Sequence, residues 1–96
     1  MPKTTFPDSA PLTADSFCRW LGRAVPGDRI EYHRGFLGCD RDPENSARPA
    51  SERRRLDDLA EQVQSLAVAG LVGLVQRRYG DADYSYLAVK MRRRAA

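Results

Sequence analysis

The chain has no apolar run approaching the roughly 20 residues a helix needs to cross a bilayer. Its opening residues, MPKTTFPDSAP, also lack the apolar core of a secretory signal. Both absences lead to the expectation of a cytoplasmic protein, in a bacterium or, if phage-encoded, in its host. Cysteine is scarce: Cys18 and Cys39 are the only two, with no CxxC pair. They are expected as reduced thiols that act as small buried hydrophobes. Histidine occurs once, and only Glu31 lies near His33 on the same strand face, too little for an acid–base or nucleophilic constellation. A metal set drawn from Cys18, His33, Cys39 and Asp40 lacks the tight ligand spacing of known sites. No glycine-rich phosphate loop, nucleophile elbow or carboxylate dyad motif is present. The expectation is a non-enzymatic protein with no cofactor, no metal and no catalytic residue.

At 96 residues there is room for one modest core. The boundaries expected are an arm over 1–11, whose three prolines oppose regular structure, a single domain over 12–91, and a basic tail over 92–96. Formal charge is +3, and its placement is uneven. Residues 71–96 carry six cations (Arg77, Arg78, Lys90, Arg92, Arg93, Arg94) against Asp81 and Asp83, net +4, while residues 1–70 carry ten against eleven acids, net −1. The excess therefore gathers at the C-terminal end, which points to a polyanionic or acidic partner.

Periodicity supplies the elements. Leu56, Leu59, Ala60, Val63, Leu66 and Ala67 recur at steps of three or four, so Ser51–Ala69 reads as an amphipathic helix with Ser51 as N-cap and Gly70 closing its end. An earlier helix starts at Thr13, with Leu12 and Phe17 spaced as a hydrophobic staple. It continues through Leu21 to about Ala24, where Pro26 and Gly27 stop it. Between the helices, Ile30 and Tyr32 alternate with Arg29, Glu31 and His33, the pattern of a half-buried strand. A bend at Gly35 is expected to turn Phe36 and Leu37 into the core, followed by a polar loop from Cys39 to Ala50 with one helical turn after Asp42.

After Gly70, LVGLVQRRY and YSYLAVKMRR flank the polar tip GDAD, which reads as a β-hairpin. Pairing Tyr79 with Tyr84 places Val72, Leu74 and Gln76 opposite Met91, Val89 and Leu87 on an oily face. The same pairing places Arg77, Tyr79, Tyr84, Tyr86 and Lys90 together on an outward face. The expected fold class is α+β, helix–strand–helix–hairpin, with a small antiparallel three-stranded sheet.

That order resembles the winged helix-turn-helix domain, and LAEQVQSLAVAGLVGLVQRR is similar to the passage from a recognition helix into its wing. The segment GDRIEYHRGFLGCDR is in addition similar to small phage and prophage proteins of no known activity. The winged-helix resemblance implies duplex DNA binding in a transcriptional or phage-related regulator, with the last helix near the major groove and the wing beside the backbone. The expected contacts are phosphate clamping by Arg77 and Arg78, stacking by Tyr79, Tyr84 and Tyr86, and a grip at the helix start by Arg53, Arg54 and Arg55. Gln62 is placed to read base edges, and the tail Arg92, Arg93 and Arg94 to trail along the backbone.

Each of these has a plainer reading. Arg53 and Arg54 can pair with Asp57 and Asp58 along the helix, and Arg77 can pair with Tyr86 merely to hold the hairpin. Asp57, Asp58 and Glu61 on the helix's solvent face would be repelled by phosphates. The alternative is accordingly a protein-interaction module, a phage-encoded inhibitor or adaptor, that turns the same arginines and tyrosines toward an acidic protein surface. A homodimer through the hairpin's outer strand is compatible with either.

Overall fold

The computed structural model describes residues 2–6 and 12–92. Its first regular element is β1 (Thr4–Thr5), inside the arm expected to be irregular, and it pairs in parallel with β2 (Arg29–Gly35). The pair is held by Arg29 N–H donating to the Lys3 carbonyl at 2.8 Å and by Lys3 N–H donating to Asp28 Oδ1 at 3.0 Å. Two hydrogen-bonding residues between prolines are enough for a short parallel bridge, and no sequence period marks so short a strand.

Helix α1 (Ala14–Arg23) follows, with Thr13 and Ser16 satisfying each other's N–H in a capping box. Its Phe17, Trp20 and Ala24 are buried, with Leu12 and Leu21 packed beside them. The helix cannot continue through Pro26, and Val25 N–H turns instead to Asp28 Oδ2 at 3.1 Å.

Strand β2 departs from simple alternation. A bulge between Glu31 and His33 turns His33 to the helix side, opposite Tyr86, rather than outward with Arg29 and Glu31. Gly35, at φ +130, then bends the chain into a four-residue helix, α2 (Leu37–Asp40), ahead of where a helical turn was expected. Only a single turn closes after Asp42, by Ser46 N–H on the Asp42 carbonyl at 3.0 Å. Phe36 stays 47% exposed, so the bend does not carry it into the core.

Helix α3 (Ala50–Val68) has Pro49 rather than Ser51 at its cap, with no side-chain hydrogen bond there. Its expected apolar stripe is the buried one: Leu56, Leu59, Ala60 and Val63. The end is a Schellman motif, with Gly70 at φ +82, Gly70 N–H on the Ala67 carbonyl at 3.0 Å and Leu71 N–H on the Leu66 carbonyl at 2.9 Å.

The hairpin is β3 (Val72–Gly80) and β4 (Asp83–Lys90), turning at Asp81–Ala82. The sheet therefore has four strands in the order β1-β2-β4-β3, not three, and is antiparallel except at β1. Its core side meets both long helices in one cluster of Phe17, Trp20, Ala24, Ile30, Leu59, Val63, Val72 and Ala88.

The hairpin register differs by one residue from the expected one. Gly80 pairs with Asp83 as a Tyr79–Tyr84 clamp requires, but a bulge at Tyr79 shifts everything beyond it, so that Arg78 opposes Tyr84, Arg77 opposes Ser85 and Gln76 opposes Tyr86. One step exchanges the faces of a strand. Tyr84, Tyr86, Ala88 and Lys90 lie on the helix side, while Ser85, Leu87 and Val89 lie on the other. Among the described residues, no helix covers that second face, and none is long and apolar enough to cross a membrane.

Candidate functional site: the outer face and free edge of the hairpin

The register disperses the cations that the sequence gathers together. Lys90 reaches under the end of α1, its ammonium donating to the Leu21 carbonyl at 2.9 Å and the Ala24 carbonyl at 2.6 Å. It is a helix-end clamp, not part of an outward basic face. Tyr86 is buried, its hydroxyl oxygen accepting from Leu37 N–H at 3.1 Å at the start of α2. Tyr84 lies beside Tyr86 and Phe36, with ring centroids at 6.1 and 6.0 Å. Neither tyrosine shares a face with Arg77, so the expected Arg77–Tyr86 pair does not form. Arg78 folds back onto the tip, donating to Asp81 Oδ1 at 2.7 Å and the Gly80 carbonyl at 3.3 Å.

The helix start is dispersed too. Arg55 crosses to the Leu12 carbonyl at 2.7 Å, fastening α3 to the entrance of α1. Asp57 pairs with Arg41 at 2.7 Å rather than with Arg53. Gln62 donates to the Cys18 sulfur at 3.4 Å between the two long helices. Cys18 itself is exposed and Cys39 half-buried, so neither is the buried hydrophobe expected. Arg54 and Arg92 are exposed and Arg53 is half-buried, whereas Arg93 and Arg94 lie outside the described residues. The acids of α3 do converge: carboxylate oxygens of Asp57, Asp58 and Glu61 lie within 4.8 Å of one another on its solvent side.

His33 and Asp40 form a dyad that the sequence did not indicate. The ring Nε2 lies 2.7 Å from Asp40 Oδ2, which also accepts from Phe36 N–H at 3.1 Å, so the carboxylate pins the start of α2 onto β2. Burial pushes the imidazole below its ordinary value despite the Asp40 bond. Burial beside Tyr86 likewise raises the Tyr32 hydroxyl to about 12. These groups join β2, α2 and β4 to one another.

What remains without a helix over it is the hairpin's far side, although Ser85 and Leu87 there are buried. On the uncovered face, Arg34 grips Asp83 through Nε at 2.7 Å and Nη2 at 3.1 Å, and its guanidinium lies 4.1 Å from the Tyr79 ring centroid. That grip lowers the Asp83 carboxyl and raises the Arg34 guanidinium. Arg29 and Arg77 share the face and form no ion pair among the described residues. Arg29 and Arg34 were not expected here, because the strand pairing that brings β2 alongside β4 leaves no local sequence signal.

Strand β3 is the outer edge of the sheet, nine residues long, with only Val72 fully buried. Met91 N–H donates to the Leu71 carbonyl at 3.1 Å, so the backbone of residues 71, 73, 75 and 77 turns toward β4. By alternation Val72, Leu74, Gln76 and Arg78 turn their N–H and C=O groups outward. The tip half carries the devices that protect an edge, a bulge and two arginines. The root half, VGLVQ, carries none, and Leu71, Leu74, Val75 and Met91 around it are 43–47% exposed. In comparisons with known proteins, the chain matches no family model, no curated protein and no solved structure.

Proposed function

We propose that this chain is a non-enzymatic protein-interaction module that receives a partner's extended segment on β3. The observation that carries the reading is the unprotected root half of that edge. It combines three outward-turned backbone positions, Val72, Leu74 and Gln76, with exposed Leu74 and Val75, and ends at Arg77, which has no ion-pair partner among the described residues. Backbone bonds along such an edge supply affinity, and alternate side chains supply selectivity. Arg77 at the tip end suits an acidic residue on the incoming strand.

The test uses a labelled eight-residue peptide alternating valine with glutamate, followed by fluorescence anisotropy. Binding is expected for the parent and lost in Leu74→Pro, which removes one outward N–H and leaves the β4 ladder intact. Absence of binding by the parent, or unchanged binding by Leu74→Pro, removes the reading.

Duplex DNA is the second reading, favoured by the bare Arg29 and Arg77 and by the element order α1-β2-α2-α3-hairpin, which fits a winged-helix-like domain. Contact would run through the uncovered sheet face rather than α3, whose converging acids repel phosphate. Anisotropy on a random-sequence duplex at two salt concentrations tests it. Binding that weakens with salt and falls across all sequences in Arg77→Ala supports this reading.

A further inference from the structure

We infer that the segment added to β3 is β3 of a second copy, paired antiparallel about a two-fold axis at Leu74; this rests on the strand-addition reading above. The outward backbone groups belong to Val72, Leu74 and Gln76, and an axis through Leu74 aligns them with their counterparts: Leu74 with Leu74, Val72 with Gln76, Gln76 with Val72. All three pairs bring outward-turned groups face to face, as an antiparallel ladder requires. On the uncovered face, Val75 meets Gly73, a side chain opposite a residue that has none, and the exposed Leu71, Val75 and Met91 of both copies form one apolar stripe.

Charge fixes the axis. With Leu74 at the centre, the two Arg77 residues are six positions apart, about 20 Å along the strands and beyond the screening length of physiological salt. Moving the axis one residue toward the tip brings them about 7 Å closer each time. Moving it the other way shortens the ladder. The Leu74 register also places Arg78 of each copy opposite Gly70 of the other, at the C-terminal end of α3. The last turn of α3 has no basic residue of its own, and a cation is favourable beside that negative helix end. The result is a continuous eight-stranded sheet with the short β1 strands at its outer borders.

Because Leu74 faces its own copy, the experiment is a charge swap at that position, read by analytical ultracentrifugation. The parent is expected to dimerise. Leu74→Lys and Leu74→Glu should each weaken association at least about tenfold, since like charges would meet on the axis. An equimolar mixture of the two should recover it as a heterodimer, which also shows both variants folded. The same swap at Val75, which faces Gly73, should show no such preference for the mixture.

A parent that stays monomeric up to about 1 mM overturns the self-pairing, as does rescue at Val75 in place of Leu74. So does failure of the mixture while both variants keep cooperative unfolding. If the valine–glutamate peptide still binds and Leu74→Pro still abolishes that binding, the strand-addition reading stands without the dimer.

Discussion

Replacing Lys90 with methionine keeps the apolar stem and deletes the ammonium, which isolates what that cation does at the end of α1. The Leu21 carbonyl would have bonded to Val25 N–H had the helix continued, but Val25 is turned to Asp28 and Pro26 forbids another turn. Lys90 satisfies that orphan and the Ala24 carbonyl together, at 2.9 and 2.6 Å. A hydrogen bond to a charged group contributes about 1.5–3 kcal/mol. A cation at a helix C-terminus adds about 0.3–1 kcal/mol. The site lies at the rim of a cleft lined by Leu21, Gly70, Leu71 and Met91, so water can reach the freed carbonyls and the lower end of the range applies. The expected loss is about 2 kcal/mol. For a domain of this size that moves the urea midpoint down by about 1 M with no change in slope. A loss below about 0.5 kcal/mol would show that the contact is a surface accident.

Three further outcomes follow from the same geometry. Gly35→Ala should cost about 2–4 kcal/mol in urea unfolding, because a Cβ at φ +130 would lie 2.7 Å from Asp40 Oδ2. Gly73→Ala, whose Cβ would meet only the flexible Met91 sulfur at 3.1 Å, should be near neutral, and equal costs at the two sites would refute this account. Arg78→Ala should change stability by less than about 0.5 kcal/mol, since Arg78 and Asp81 are 62% and 100% exposed; a loss above about 1 kcal/mol by the same assay would contradict it.

Stability is also expected to depend on pH. His33 is depressed in the folded chain, so below its ordinary value of 6.5 the unfolded chain takes up a proton that the folded one resists. Stability should be level well above pH 6.5 and decline as the pH falls below it. Asp28, Asp42 and Asp83, which are held low, lose their contributions only as the pH falls through about 4 and below. Urea titrations at about pH 7.5 and 5.5 check this; equal stability at both, or a slope that persists in His33→Gln, would refute it.

The parts of the fold legible in the sequence were those set by local rules. Thr13, Pro26 and Gly70 marked helix ends through capping chemistry, and the stripe from Leu56 to Val63 located the face of α3 that is buried. The hairpin tip was legible as well, since Gly80 does oppose Asp83. What failed was the count just beyond it. The tyrosines suggested a clamp, whereas Tyr79 instead bulges under Arg34, and that single extra residue sends Tyr84, Tyr86 and Lys90 to the helix side. Pairing between elements distant in the chain carried no signal either: Arg34 with Asp83, Lys90 with α1, and Thr4–Thr5 with β2. The candidate site was therefore visible as composition and not as geometry.

Strand β1 clips Thr4–Thr5 to the border of the sheet farthest from β3, whereas Met91 and Arg92 leave beside Leu71 at the root of β3. A purification handle, fluorophore or surface anchor joined ahead of Pro2 would thus stand well clear of the hairpin. The same addition behind Arg92 would crowd β3. Immobilising the protein by its front end is the orientation in which a silent sensor trace would carry meaning.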